Sequence, residues 1–508
     1  MKRPNILIIM ADQLSALALP FHGNVAVKAP YLQELANHSA VFDNAYCNFP
    51  LCSPARSSLM AGQFASRIGA FDNASEFPAA TPTLPYYLNS LGYKTILSGK
   101  MHFAGPDQLH GFQQRLTTDI YPSDFAWTAD WRKKEFEPAP SGYNLGTIDE
   151  SGPCYRSLQL DYDEEVEAKS IQCLYDLARD ESTDPFFLCA SFTHPHPPFH
   201  ILPEYLDRYK PEEINLPIVG DMSMEQRDIL SRWIQFSHGL AEKSASEEQI
   251  RRARHTYYAM ISYIDDKVGN LLRALKRSGL DENTIVVFTT DHGEMMGERG
   301  MWFKRVFFDW ATKVPLLIRL PGSSTMRRIP DCASLVDLLP TLMDFCTDGD
   351  STAWIDPIDG RSLRPLMEGA SDPDQATAFV EYMADAVSTP CCMLRRGRYK
   401  LIYTHGHPDQ LYDMIDDPNE LHNIASSALD ISTGLRNELL SWWDPEKIRS
   451  EVLASQTRRR FIKELPSEMR PPWDFQAHVD DTQRFVRRTS GLTLKQRSRW
   501  PRISTIKE

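Results

Sequence analysis

The stretch Asn5-Ile-Leu-Ile-Ile-Met-Ala-Asp-Gln13 decides the fold. Its apolar residues are continuous from Ile6 to Met10 and end abruptly in Asp12 and Gln13, the pattern of a strand buried on both faces. Lys94-Thr-Ile-Leu97, Phe186-Phe-Leu-Cys-Ala-Ser191, Thr284-Ile-Val-Val-Phe288 and Val314-Pro-Leu-Leu-Ile318 repeat the pattern. Between them lie helical periodicities. The best runs from about Glu247 to Arg277, with Ile261, Ile264, Val268, Leu271, Leu272 and Leu275 on one face and Ser278-Gly279 as its C-cap. Helix followed by strand predicts an α/β fold, a mostly parallel central sheet sandwiched by helices.

After about residue 376 the pattern changes to Cys391-Cys-Met-Leu394, Arg398-Tyr-Lys-Leu-Ile-Tyr403 and Gln410-Leu-Tyr412, separated by turn residues. This predicts a small antiparallel sheet. The expected organisation is a catalytic α/β domain over 1–375, a small sheet subdomain over 376–440 and an extended tail over 441–508. Residues 107–158 and 200–245 lack clean periodicity and read as long excursions that wall a pocket.

The chain has 508 residues and a net charge of −13, which argues against nucleic acid as a partner. The charge is uneven: Pro445 to Glu508 holds fifteen Lys or Arg against eight Asp or Glu, so the remainder carries −20. That basic stretch reads either as a solvated, partly ordered tail or as an arm that docks on an acidic neighbouring subunit. No apolar run approaches the roughly 20 residues that cross a bilayer, so no membrane segment is expected. Nine cysteines without C-x-x-C spacing suggest reduced thiols and a cytoplasmic protein.

Polar residues follow each predicted strand, where open α/β sheets place their ligand crevices. Asp12 and Gln13 follow the first, Lys100 and His102 the second, His194 and His196 the third, Asp291 and His292 the fourth. Asp12, Gln13, Asp291 and His292 offer carboxylate, amide and imidazole ligands for a hard divalent cation, Ca²⁺ or Mg²⁺, with some tolerance for Mn²⁺. In Leu51-Cys-Ser-Pro-Ala-Arg-Ser57, Ser53 and Pro54 read as the N-cap and first position of a short helix through Ala61. Residue 52 then sits at a helix N-terminus, which favours an anion.

Cys52-Ser-Pro-Ala-Arg56 resembles the C-x-P-x-R signature of the sulfatase family, whose cysteine is oxidised to Cα-formylglycine. Met10-Ala-Asp-Gln13, Gly99-Lys-Met-His102, Thr193-His-Pro-His-Pro-Pro198, Thr290-Asp-His-Gly293 and Gly300-Met-Trp-Phe-Lys304 stand in family order, as do Leu411-Tyr-Asp413, Asp417-Pro-Asn-Glu420 and Asn423-Ile-Ala425. The resemblance covers nearly the whole chain and implies an alkaline-phosphatase-like fold. Within the family the sequence is most similar to the choline sulfatases, through Phe71-Asp-Asn-Ala74, Gly105-Pro-Asp-Gln-Leu-His-Gly-Phe112, Leu116-Thr-Thr-Asp-Ile-Tyr-Pro122, Asp124-Phe-Ala-Trp127 and a tail with Gln456-Thr-Arg-Arg-Arg460 and Trp500-Pro501.

The resemblance implies a sulfuric ester hydrolase. Formylglycine at 52, hydrated, is its nucleophile, installed by a formylglycine-generating enzyme, and Asp12, Gln13, residue 52, Asp291 and His292 hold the metal. Arg56 and Lys100 fix the diol, His196 and Lys304 bind sulfate or protonate the departing alcohol, and His102 takes a proton as the sulfated intermediate collapses. His194 is the lesser of its pair. Asn73 contacts the sulfate end, Trp127 offers an aromatic face to a quaternary ammonium, and Asp385 stands where the subfamily usually has a glutamate. Leu492 replaces an expected acidic residue of the partner chain, and the tail implies a homotetramer. Two rivals are a phosphonate or phosphate monoester hydrolase of the same superfamily and a silent anion-binding homologue with unmodified Cys52.

Overall fold

A computed structural model describes residues 3–133, 144–349 apart from Glu181 and Thr183, 353–371, 376–466 and Met469. Eight strands form the main sheet, in the order Arg327–Ser334, Ala40–Tyr46, Leu316–Arg319, Thr284–Thr290, Asn5–Ala11, Phe186–Ser191, Lys94–Gly99 and Gln114–Arg115. Leu316–Arg319 runs antiparallel to both neighbours; every other pairing is parallel. The first strand is central, with Ile6 opposite Phe187 on one side and Ile285 on the other.

Its unbroken hydrophobicity now has a reason. Ile6, Ile8 and Met10 enter one core, Leu7, Ile9 and Ala11 the other, and all six are fully buried. Each large side chain so buried contributes roughly 1.5–3 kcal/mol. The second core is completed by helix Glu247–Arg277, through Ile261, Ile264, Val268, Leu271 and Leu275. Ser246 and Gln249 cap that helix reciprocally, and Gly279 follows its end at φ +72°.

The small sheet is antiparallel, in the order Thr377–Tyr382, Cys391–Arg396, Tyr399–Thr404, Gln410–Asp413, and gains one strand over the sequence expectation. Ala378, Val380 and Tyr382 share the core that receives Ile6 and Ile8. A buried ion cluster joins the two sheets: Lys400 Nζ lies 2.8 Å from Asp309 Oδ1 and 2.7 Å from Glu420 Oε1.

The extended tail expected from residue 441 needs correcting over its described part, where Pro445–Glu464 is a helix. Asp444 caps it, accepting from the amides of Glu446 and Lys447, Pro445 occupies the first turn, and Ile448 and Val452 are buried. Leu492 and Trp500-Pro501 lie outside the described residues. Among the described residues, no helix is long and apolar enough to cross a membrane.

Candidate active site

Strand ends and one helix N-terminus converge as the sequence suggested. The helix carrying Cys52 spans Cys52–Ala61 and starts two residues earlier than expected, because the Ala55 amide already donates to Leu51 O at 3.1 Å. Cys52 therefore occupies the first helical turn. Its Sγ lies 3.3 Å from His292 Nε2, 3.9 Å from Asp12 Oδ1 and 3.8 Å from Lys304 Nζ. Ligand atoms of Asp12, Cys52, Asp291 and His292 all fall within 4.8 Å of one another, and all four residues are buried. That donor set suits a divalent cation.

Two glycines bring these ends together. A Cβ on Gly99, at φ +109°, would stand 1.9 Å from Ser191 O, so only glycine lets the chain turn Lys100 into the cluster. A Cβ on Gly293 would meet Trp310 O at 2.1 Å. Gln13, His102, Phe303 and Arg305 also adopt positive φ, strain that persists where surrounding packing over-determines the conformation.

The charges interlock. Lys100 pairs with Asp12 Oδ2, while Arg56 Nε donates to Asp291 Oδ2 at 2.8 Å and its Nη1 to Lys100 O at 2.6 Å and Ser191 Oγ at 2.8 Å. Burial and the neighbouring Asp291 carboxylate push the Asp12 carboxyl up to about 7, against Lys100. Asp291 stays low: burial opposes ionisation, but Arg56, His292 and Lys100 prevail. Burial alone would raise the Cys52 thiol; Lys100 and Lys304 outweigh it and bring it down to about 6. Two carboxylates crowded in low dielectric and a cation-stabilised position 52 form an anion-accepting, cation-ready centre.

Gln13 shows how its amide is aimed. Its Nε2 donates to the Glu294 carboxylate, so Oε1 turns the other way and accepts from Lys304 Nζ. Glu294 is fixed in turn by the amides of Phe303 and Met296.

His196 Nδ1 lies 2.6 Å from Pro197 O and 2.8 Å from the Tyr121 hydroxyl, which fix the ring. Burial, Lys304 and Lys100 hold this ring's pKa far below the ordinary value. His194 is tied to Asp163 at 2.7 Å and packs on Tyr263, a structural engagement. His102 is placed by its backbone amide on Asp119 at 2.7 Å. Neither of its ring nitrogens makes a hydrogen bond of good geometry, and burial lowers its pKa while the adjacent Cys52 raises it.

At the rim, Trp127 meets the His102 ring edge-on at 5.6 Å, and Tyr121 lies 4.2 Å beneath Lys100 Nζ. Asn73 Oδ1 accepts from the Ser53 amide at 3.0 Å, capping the helix that carries Cys52. Asp385 departs from expectation. Its carboxylate grips Arg305 in a bidentate pair, 3.2 Å to Nε and 2.8 Å to Nη2, so its charge is met by the chain itself. Sequence reasoning gave no role to Glu294, Asp163 or Arg305. Asp119 and Tyr121 sat within a quoted segment without a role, and a carboxylate just after Asp291-His-Gly293 was the available signal for Glu294.

The sulfatase family model matches residues 4–347. The chain is a member of the sulfatase family. It is therefore an enzyme that hydrolyses sulfate esters, with an alkaline-phosphatase-like fold. Further matches are the N-sulphoglucosamine sulphohydrolase C-terminal model over 297–442 and the choline sulfatase C-terminal model over 450–500. A choline-sulfatase of Rhizobium meliloti is 40% identical, covering 98% of this chain and 99% of its own. An arylsulfatase of Clostridium perfringens is 28% identical over 84% of this sulfatase and 91% of its own length. Among solved structures, a phosphonate monoester hydrolase of Agrobacterium radiobacter superposes with TM-score 0.68 at 26% identity, covering 89% of this chain and 96% of that one. That likeness marks a related superfamily member with the same fold.

Proposed function

We propose that this sulfatase cleaves choline sulfate to choline and sulfate, with formylglycine formed from Cys52 and a divalent cation, Ca²⁺ foremost and Mg²⁺ or Mn²⁺ as alternatives. The observation that carries the chemistry is the burial of Asp12, Cys52, Asp291 and His292 donors within one ion's reach, ringed by Arg56, Lys100 and Lys304. The substrate rests on the full-length likeness to a choline-sulfatase and the matching C-terminal model.

Asp12, Gln13, Asp291 and His292 would hold the cation, whose chemistry is to acidify the nucleophile at 52 and bind a sulfate oxygen. Formylglycine would supply that nucleophile as a hydrated aldehyde, the thiol Sγ marking where its oxygen stands. Around it, Arg56 and Lys100 hold the functional group of residue 52 through the charges already paired with Asp291 and Asp12. Lys304 neutralises the sulfate. His196 binds the sulfate or protonates the departing alcohol. His102, beside residue 52, takes the proton whose loss releases sulfate. Asn73 steadies the sulfate end and Trp127 faces the ammonium. Asp385 contributes to that pocket only as the neutral Asp385–Arg305 pair.

Maturation by a formylglycine-generating enzyme, a cytoplasmic location and a homotetramer built through the tail belong to the same proposal, as do a catalytic unit over 1–375, a small sheet unit over 376–440 and an assembly tail over 441–508. Turnover of choline sulfate, an aryl sulfate and a phosphonate monoester under one condition tests it. Choline sulfate should give the highest kcat/KM; preference for the phosphonate would overturn the substrate. The tryptic peptide Ala29–Arg56 from the native host should be lighter than its thiol form. A purely thiol peptide would leave only an anion binder.

A further inference from the structure

Arg459 lies on the C-terminal helix, far in sequence from every candidate site residue, yet it is nearly fully buried. Its guanidinium closes a bidentate pair on Asp72, Nη1 to Oδ1 at 2.7 Å and Nη2 to Oδ2 at 2.9 Å. Nη1 also donates to Thr128 Oγ1 at 3.2 Å. Asp72 precedes Asn73, the residue that caps the Cys52 helix, and Thr128 follows Trp127. One planar fork thus grips the chain neighbours of both side chains assigned to the substrate's two ends. Each grip is braced. Asp72 Oδ1 also accepts from the Ala74 amide at 2.9 Å, and Thr128 Oγ1 donates to Phe125 O at 2.8 Å across the turn that holds Trp127. Two further contacts keep the helix seated: the Trp131 amide donates to Gln456 Oε1 at 2.9 Å, and Arg460 pairs with Asp130.

We infer that Arg459 is a positioning residue that sets the gap between Asn73 and Trp127, making the C-terminal helix a determinant of which alcohol the site accepts. The inference rests on the proposed choline sulfate reading for its substrate, though not for its geometry. A lysine cannot reproduce the fork, because its ammonium is a compact point charge without the planar spread of donors that meets both Asp72 oxygens and Thr128 Oγ1. An ester too short to reach Trp127 should not sense the change; one that fills the gap should.

The test uses the full-length enzyme and Arg459→Lys, Arg459→Gln and Asp72→Asn, with Tm measured alongside, on choline sulfate and methyl sulfate. In Arg459→Lys the expected loss of kcat/KM on choline sulfate is about 10-fold to 100-fold, carried by KM, with methyl sulfate changed less than about threefold. Equal losses on both esters, or none on either, would overturn the inference. Hydrogen exchange in the same variants keeps it separate from the substrate reading. Segments 71–75 and 123–131 should both exchange faster in Arg459→Gln whatever ester the wild type prefers, and unchanged protection overturns positioning. A wild type that turns over choline sulfate no better than methyl sulfate sinks the substrate reading alone, and the exchange result then decides the role of Arg459.

Discussion

Two buried charge clusters can be set side by side, one around Cys52 and one around Lys400. Both are excluded from water, and both mix ammonium groups with carboxylates. Around Lys400 the chain completes its own accounts. Asp309 and Glu420 flank one lysine, and Glu420 Oε2 accepts from the Asp309 amide at 2.9 Å. Burial raises Glu420, whereas Lys400 overcomes burial to hold Asp309 low. Around Cys52 the balance is left open: Arg56, Lys100 and Lys304 face Asp12 and Asp291, and Asp12 is still pushed up to about 7. Burial of charge alone does not mark a site. Cations and mutually repelling carboxylates gathered around a nucleophile position do, because together they suit both an anion and a metal.

The sharpest break of this comparison is Cys52→Ala. Turnover should fall more than about 10⁴-fold, as when a covalent nucleophile is removed, while Tm moves little. A Tm loss matching the activity loss would mean that the cluster around residue 52 is structural like its counterpart. The reverse outcome is expected for Lys400→Met. Removing the cation that both buried carboxylates share should cost about 3–5 kcal/mol in denaturant unfolding, with kcat of the folded enzyme unchanged. Unaltered stability would show that Glu420 and Asp309 are satisfied without it.

Lys304→Ala comes next, with kcat/KM lower by about 10²-fold to 10³-fold, the usual worth of one preorganised group facing developing charge. Stability should hold or rise, since burial already lowers the pKa of this lysine and its removal relieves a desolvated charge. A fall in stability instead would class Lys304 with Lys400.

How much of this was legible beforehand follows from what a strand or a motif can carry alone. Continuous apolar runs revealed the central strands, and family motifs named the residues at their ends. Ala40–Tyr46, with Asp43 and Asn44 half-buried inside it, and Arg327–Ser334, exposed at its start, escaped notice because strands near the sheet margin need no unbroken apolar run. For Asp385 nothing in a one-dimensional reading says that Arg305 arrives from 80 residues away to neutralise it. The tail was read as extended from the resemblance, yet buried Ile448 and Val452 with an Asp444–Pro445 start make a docked helix.

The smallest expected effect isolates orientation from charge at the open cluster. Glu294→Gln keeps the shape of the side chain and its acceptor for the amides of Phe303 and Met296, but it gives Gln13 a partner that can donate as well as accept. The Gln13 amide then loses its reason to present oxygen to Lys304 and nitrogen away from it. Outer partners of this kind are worth about 10-fold to 100-fold in metal affinity or activity. The expected result is a weaker dependence of Tm on added Ca²⁺ and a kcat/KM reduced toward the lower end of that range, restored by excess cation. Activity lost without any change in the cation titration would instead mean that Glu294 serves the strained turn at Phe303, and that the amide of Gln13 is aimed by Lys304 alone.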